Sequence, residues 1–265
     1  MRVLFIHNRY KFAGGEDVAV EMESSILQSY GHAVETLIFD NTEISGFVSK
    51  IKTGISSIYN RESAARVKAC IKVFNPDVIH VHNLFFLASP SVLYAAKKSG
   101  IPVVFTLHNY RLICANALLL RENKVCELCV NQTYPTAGIR YKCYRNSAPE
   151  TALVTAVTSI HKFRNTWNEQ VDKYIALTEF GRTRFENSSL KATKGKIQVK
   201  PNFIRDPGEG QHEREPFYLF VGRLSVEKGV EVMLNAFSGM PNREIRIVGE
   251  GPLEESLKHK FSQYS

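Results

Sequence analysis

VLFIHNRYKFAGGEDVAVEMESSILQSYG, residues 3–31, holds the pattern that organises the rest of the chain. VLFI is a continuous apolar run of the kind a strand shows when both faces of a parallel sheet are covered. The loop HNRYKFAGG follows. From Glu16 to Tyr30 the apolar residues Val18, Met22, Ile26 and Leu27 recur at helical spacing, and Gly31 ends the run. Strand, polar loop and helix are thus packed into fewer than 30 residues.

The same unit repeats downstream. AVETLIF (33–39) predicts a second strand, and residues 62–74 predict a helix with a stripe at Val67, Cys70, Ile71 and Phe74. VIHV (78–81), a helix over 91–98 and PVVFTL (102–107) continue the alternation. A long helical pattern over 151–167 comes next, then strand KYIALT, a short helix in EFGRTRFENS and strand IQVKPN. Such alternation predicts an α/β domain, doubly wound about a parallel sheet with right-handed crossovers, over 1–204. RDPGEGQHEREP (205–216) is nearly devoid of apolar residues and reads as a linker. The rhythm restarts over 217–265 with strand FYLFVG, a helix over 228–237, strand EIRIVG and a helix over 253–261. Two strands and two helices make half of a second Rossmann-like sheet.

The chain has 265 residues, 44% hydrophobic and 23% charged, and a formal charge of +8. This is the composition of a folded globular protein. The opening MRVLFIHN is too short for a signal-peptide core, and no run approaches a membrane span, so the expected location is cytoplasmic. The densest basic run, KATKGKIQVK (191–200), suits a solvated face, nucleotide phosphates or an anionic membrane surface met peripherally. Nucleic acid is not an expected partner, because no basic helix or aromatic-basic sheet motif accompanies the charge.

Ligands of open parallel sheets bind beyond the carboxyl ends of the strands. In this chain those ends are polar: His7, Asn8 and Arg9; His80, His82 and Asn83; Thr106, His108, Asn109 and Tyr110; Thr178 and Glu179; Asn202. Each alone is more often a hydrogen-bonded structural residue, but several converging on one crevice point to a ligand. Gly14 and Gly15 stand directly before a helix, where backbone can approach an anion or simply turn. FVGRLSVEKG (220–229) sets Arg223 and Lys228 between glycines after a strand. A guanidinium and an ammonium suit a pyrophosphate; the alternative is a solvated loop whose cations pair with Glu227 and Glu231.

FVGRLSVEKG followed by IVGEGPLEESL resembles the donor lobe of glycosyltransferase family 4, which has the GT-B fold. AGGED, TLHNYRLIC, ALTEFGRTRF and VKPNFI resemble that family's acceptor lobe, in the same order. The resemblance implies transfer of a sugar from a UDP- or GDP-linked donor to a glycan or lipid-linked acceptor, with retention of configuration and no catalytic metal. It implies that Arg223 and Lys228 bind the donor diphosphate, that Gly14 and Gly15 line the cleft, and that His108 sits beside the transferred sugar. Gly249, Glu250 and Gly251 match a turn near the nucleotide base. The family continues past this point with a glutamate pair that holds the donor's sugar and ribose. The resemblance therefore implies a complete first lobe and an incomplete second one, with weak donor binding and little or no turnover. A non-catalytic binding or assembly module is the alternative.

Cys114, Cys126, Cys129 and Cys143 cluster at C-x11-C-x2-C-x13-C within an insertion over 110–147. A C-x2-C pair between two outlying cysteines suits a structural zinc; disulfides and free thiols are the alternatives. The intervening ANALLLRENKV predicts a hairpin.

Overall fold

A computed structural model describes residues 1–9, 14–41, 54, 56–190, 195–210 and 214–264. Part of the first loop (10–13), the start of the basic run (191–194) and part of the linker (211–213) lie outside the described residues. The chain packs as two units, Met1–Arg121 with Val125–Arg205, and Asp206–Ser265 with Glu122–Lys124.

In the first unit, strands β1 (Arg2–Arg9), β2 (Ala33–Asp40), β3 (Val78–Val81) and β4 (Val103–Leu107) join β7 (Lys173–Ala176) and β8 (Ile197–Val199). They form one sheet in the order β2-β1-β3-β4-β7-β8, with every pairing parallel. The order reverses at β1, so the switch point lies between β1 and β3, where a doubly wound sheet opens its ligand crevice. The apolar run of β1 explains its central place. Leu4 and Ile6 enter the main core with Ile79, Val81 and Trp167, while Val3 and Phe5 pack on the other face with Val20. Both faces of the run 3–6 are covered, as its continuous apolar character implies.

Helix α1 (Gly15–Ser29) follows β1 and departs from the stripe expected of it. Val18 and Ile26 are exposed, and the buried residues are Ala19, Val20 and Glu23. The helix turns a face containing a carboxylate toward the sheet because Lys200 Nζ bonds Glu23 Oε1 at 2.5 Å. An apolar count is blind to that compensation. Helix α2 (Arg61–Phe74) keeps its expected stripe, with Val67 buried and Cys70, Ile71 and Phe74 packed on the core. Its Asn60 cap accepts from the Glu62 and Ser63 amides.

Between β4 and β7 lie a short two-stranded sheet and three helices. Helix α3 (Ser91–Lys98) precedes β4; β5 (Leu120–Arg121) and β6 (Lys124–Val125) form the expected hairpin. Glu122 and Asn123 both take positive φ, 50° and 58°, as a two-residue primed turn requires. Helix α4 (Thr136–Arg140) leads into α5 (Ala148–Phe163) and α6 (Thr166–Glu169). The single helix expected over 151–167 is therefore two, because Asn165 adopts φ 53° and breaks the ladder. Helix α7 (Glu179–Glu186) is capped by the Thr178 hydroxyl.

In the second unit, β9 (Phe217–Val221) and β10 (Glu244–Val248) pair in parallel. A 3-10 turn at Val226–Lys228 precedes α8 (Val230–Phe237), and α9 (Glu254–Lys260) follows β10. Gly229, at φ 67°, separates turn from helix, so Lys228 stands on the turn rather than in the helix expected from residue 228. Leu224, Val230 and Leu257 are the buried centre of this unit, beside an apolar cavity of about 700 Å³ lined by Leu234, Phe237, Ile247 and Phe261. No described helix is long and apolar enough to cross a membrane.

Candidate functional site

The polar strand ends of the first unit fall into two classes. Asn8 and Asn83 are structural: Asn8 Oδ1 accepts from the Ala88 amide at 3.0 Å, and Asn83 Nδ2 donates to the Asn8 carbonyl at 2.8 Å. They shape the crevice wall and have little left for a ligand. The histidines are different. His7, His80 and His82 are buried, and His108 joins them across the end of the sheet.

His80 Nε2 lies 2.7 Å from Thr106 Oγ1, and His82 Nδ1 lies 2.9 Å from His108 Nε2. The His82 and His108 rings stack at 5.2 Å. Burial is the chief cause that pushes His80 down to about 3 and His108 to about 4, with Lys200 and neighbouring histidines adding to it. Burial also holds His82 well below its ordinary value. All three are neutral imidazoles at pH 7. His108, with Thr106, Asn109 and Arg111, lines a small cavity, and its Nδ1 has no partner among the described residues.

The glycine pair is held by helix α1. Gly14 is its N-cap residue, and its amide donates to Asp17 Oδ2 at 2.8 Å. The other oxygen of Asp17 meets His7 Nε2 at 2.9 Å. One carboxylate therefore ties the glycine turn to the end of β1. A Cβ built on Gly14 or Gly15 meets nothing within 4 Å among the described residues. Glu16 Oε1 accepts from Asn109 Nδ2 at 2.6 Å, while Oε2 is buried with no partner among the described residues. Burial is the main cause that pushes the Glu16 carboxyl up to about 7. Sequence reasoning passed over Glu16, Asp17 and Glu23. The first two look like ordinary acids complementing a helix N-terminus; the third had a signal, a charge spaced with Val20 and Leu27 on one face.

In the second unit, Arg223 and Lys228 are both exposed, and neither has an ion-pair partner among the described residues. The carboxylates that were the alternative partners are engaged elsewhere. Glu227 Oε1 accepts from Ser225 Oγ at 2.6 Å, and Glu231 Oε1 pairs with Lys260 Nζ at 2.6 Å. Two cations thus face solvent from one turn, ahead of the N-terminus of α8. That arrangement attracts an anion through side-chain charge and helix dipole alike. The turn over 249–251 is bonded to it: the Gly222 amide donates to the Val248 carbonyl at 3.0 Å and the Leu224 amide to the Glu250 carbonyl at 2.9 Å.

The four cysteines of the insertion are free thiols. Burial is the chief cause that pushes Cys129 up to about 11, and Cys114, Cys143 and Cys126 are close enough to add to that shift. Their sulfurs do not form a closed cage. Among the described residues, the one group of three or more His, Cys, Asp or Glu donors lying within 4.8 Å of one another is Glu23, His80 and His82.

Residues 54–206 match the sequence profile described as Glycosyltransferase Family 4, and residues 203–265 match that of glycosyl transferases group 1. Granule-bound starch synthase 2 of Pisum sativum is 33% identical over 102 residues, covering 37% of this chain and 13% of its own length. A sulfoquinovosyl transferase of Arabidopsis thaliana is 22% identical over 214 residues, covering 74% of this chain and 34% of its own. The chain spans about a third or less of the curated relatives it matches. Among solved structures, the catalytic domain of starch synthase IV from Arabidopsis thaliana, bound to ADP and acarbose, superposes with a TM-score of 0.55 at 14% identity. The match covers 99% of this chain and 72% of that one. Anabaena HepE in complex with UDP gives a TM-score of 0.52 at 14% identity over 100% of this chain and 66% of that one. The apo lipopolysaccharide outer core galactosyltransferase WaaB gives 0.52 at 12% over 100% and 65%. These neighbours show the GT-B fold, and the profile match spans more than half of the sequence: the chain belongs to Glycosyltransferase Family 4.

Proposed function

We propose that this chain serves the transfer of a sugar from a nucleotide-diphosphate donor to a glycan or lipid-linked acceptor, with retention of anomeric configuration, on the cytoplasmic side. The carrying observation is the pair of exposed cations Arg223 and Lys228, which have no ion-pair partner among the described residues and whose neighbouring carboxylates are committed to Ser225 and Lys260. The ADP, UDP and UDP-glucose held by solved neighbours support a diphosphate as their anion. In this reading the two cations stabilise charge as the nucleotide diphosphate departs, which is where fixed positive charge lowers a barrier most. Gly249, Glu250 and Gly251 border the nucleotide base. In the first unit, His108 offers a neutral ring to the sugar, and Gly14 and Gly15 line the cleft.

Calorimetric titration with UDP and with GDP tests the reading. Replacing Arg223 and Lys228 together by Ala is expected to weaken binding about a hundredfold, two charge-assisted contacts at roughly 1.5 kcal/mol each. Equal affinity in the double variant removes the diphosphate from this loop.

The cysteine quartet takes a structural zinc in the same reading, the sulfurs drawing together around it. Cobalt loading of the purified chain is expected to give a thiolate charge-transfer band that Cys126→Ser abolishes. A loaded chain lacking that band rejects the quartet as a metal site.

A further inference from the structure

The ends of β3 and the middle of α1 bring three metal-binding side chains together inside the first unit. Glu23 Oε2 lies 3.6 Å from His80 Nδ1 and 3.9 Å from His82 Nε2. The side chains are 9%, 9% and 0% exposed respectively, so water does not fill the spaces between them freely. Both separations are too long for a hydrogen bond, for which about 2.7–3.2 Å is required. Two imidazoles therefore aim at one buried carboxylate oxygen without bonding to it. His82 Nε2 has no partner among the described residues, and an orphaned buried nitrogen is costly.

The distances suit a shared cation instead. A tetrahedral Zn2+ with bonds of about 2.0–2.1 Å holds its donor atoms roughly 3.3–3.5 Å apart, a few tenths of an ångström less than the two Glu23–histidine separations, and all three donor atoms lie within 4.8 Å of one another. The far nitrogens of both rings are already engaged as metal-bound histidines require. His80 Nε2 lies 2.7 Å from Thr106 Oγ1 and His82 Nδ1 lies 2.9 Å from His108 Nε2, so each contact accommodates a ring N–H on the far side. With the protons on those far nitrogens, the lone pairs of His80 Nδ1 and His82 Nε2 face Glu23, and the ring orientation is fixed from behind. Glu23 Oε1 is held by Lys200 Nζ, whose side chain is 38% exposed and free to withdraw into solvent. Without metal, that ammonium balances the carboxylate.

We propose that Glu23, His80 and His82 form a divalent-cation site of the His2Glu type, with Zn2+ the best fit, latching helix α1 to strand β3. The site requires no nucleotide, so it stands or falls separately from the donor reading.

Cobalt titration of the full chain distinguishes this site from the cysteine quartet, since nitrogen and oxygen donors give ligand-field bands without thiolate charge transfer. Glu23→Gln is expected to remove one equivalent of bound Co2+ and leave any thiolate band unchanged. Lys200→Met removes the competing ammonium and is expected to tighten binding by at least ~tenfold, with a larger Zn2+-dependent rise in Tm than the parent chain shows. The same stoichiometry in parent and Glu23→Gln overturns the proposal. So does a Lys200→Met chain whose metal affinity and Tm do not respond, a result that stands even where Glu23→Gln fails to fold.

Discussion

Acidification from pH 7 to pH 5 is expected to destabilise the first unit by at least about 1 kcal/mol, read as a fall in the urea midpoint. His80 and His108 carry most of the measurable part. Their folded values, about 3 and about 4, lie below the unfolded value of 6.5, and burial is the main cause of both. The sign follows directly. Between 6.5 and the folded value the unfolded chain binds the proton and the folded chain does not, so stability falls as pH falls. Each ring loses about 2 kcal/mol between pH 6.5 and 5. His7, His82 and His161 are lowered as well, again chiefly by burial, and push the same way.

Glu16 opposes them. Its folded value is raised from 4.5 to about 7, so its contribution is full below 4.5 and is lost as pH rises through about 7. Acidification to pH 5 returns up to ~2.7 kcal/mol from this one group. Five lowered histidines outweigh one raised carboxyl, and the net change is a loss. Glu16→Gln removes the compensation and should make the acid dependence steeper, with the variant more stable than the parent at pH 8. A parent chain as stable at pH 5 as at pH 7 contradicts the buried-histidine account.

That cluster also marks how far the sequence could be read. VLFI declared a strand covered on both faces because four consecutive apolar residues leave no face for water. The loops after the strands declared their polarity as plainly. Sequence alone could not show that Asn8 and Asn83 spend their hydrogen bonds on the backbone around residues 8 and 88, while His82 and Glu16 keep atoms with no partner among the described residues. Such a division depends on which groups meet across the switch point. Glu23 was hidden for a related reason: its burial is stabilised by Lys200, 177 positions away, and periodicity sees only local neighbours. The break at Asn165 has a simpler cause, one left-handed residue in a run whose apolar pattern continues on both sides. The exposed pair Arg223 and Lys228 was legible as a charged loop, but whether Glu227 and Glu231 neutralise it was decided by Ser225 and Lys260.

Gly249→Ala is expected to cost the second unit at least ~3 kcal/mol and to abolish nucleotide binding with it. Gly249 sits at φ 146°, a conformation that side-chain-bearing residues rarely adopt. A Cβ built there stands 1.9 Å from the Gly222 carbonyl oxygen and 2.9 Å from its carbon. Neither atom can yield cheaply, because the Gly222 amide is bonded to the Val248 carbonyl at 3.0 Å and Gly222 leads directly into Arg223. Gly251 repeats the constraint one step on: its added Cβ would meet the Leu224 carbonyl oxygen at 2.3 Å, and that oxygen already accepts from the Leu253 amide at 3.1 Å. The parallel pairing of β9 and β10 thus continues past the strands as a backbone seam that only glycine permits. Opening it by more than an ångström displaces Arg223 and unseats Leu224, a member of the small buried centre. Gly210→Ala is the matched control, with nothing among the described residues within 4 Å of the new methyl and no positive φ. Hydrogen exchange over 217–221 and 244–248 separates the two: protection lost in Gly249→Ala and kept in Gly210→Ala. Parent-like protection in Gly249→Ala, with parent-like UDP binding, means the seam does not position Arg223.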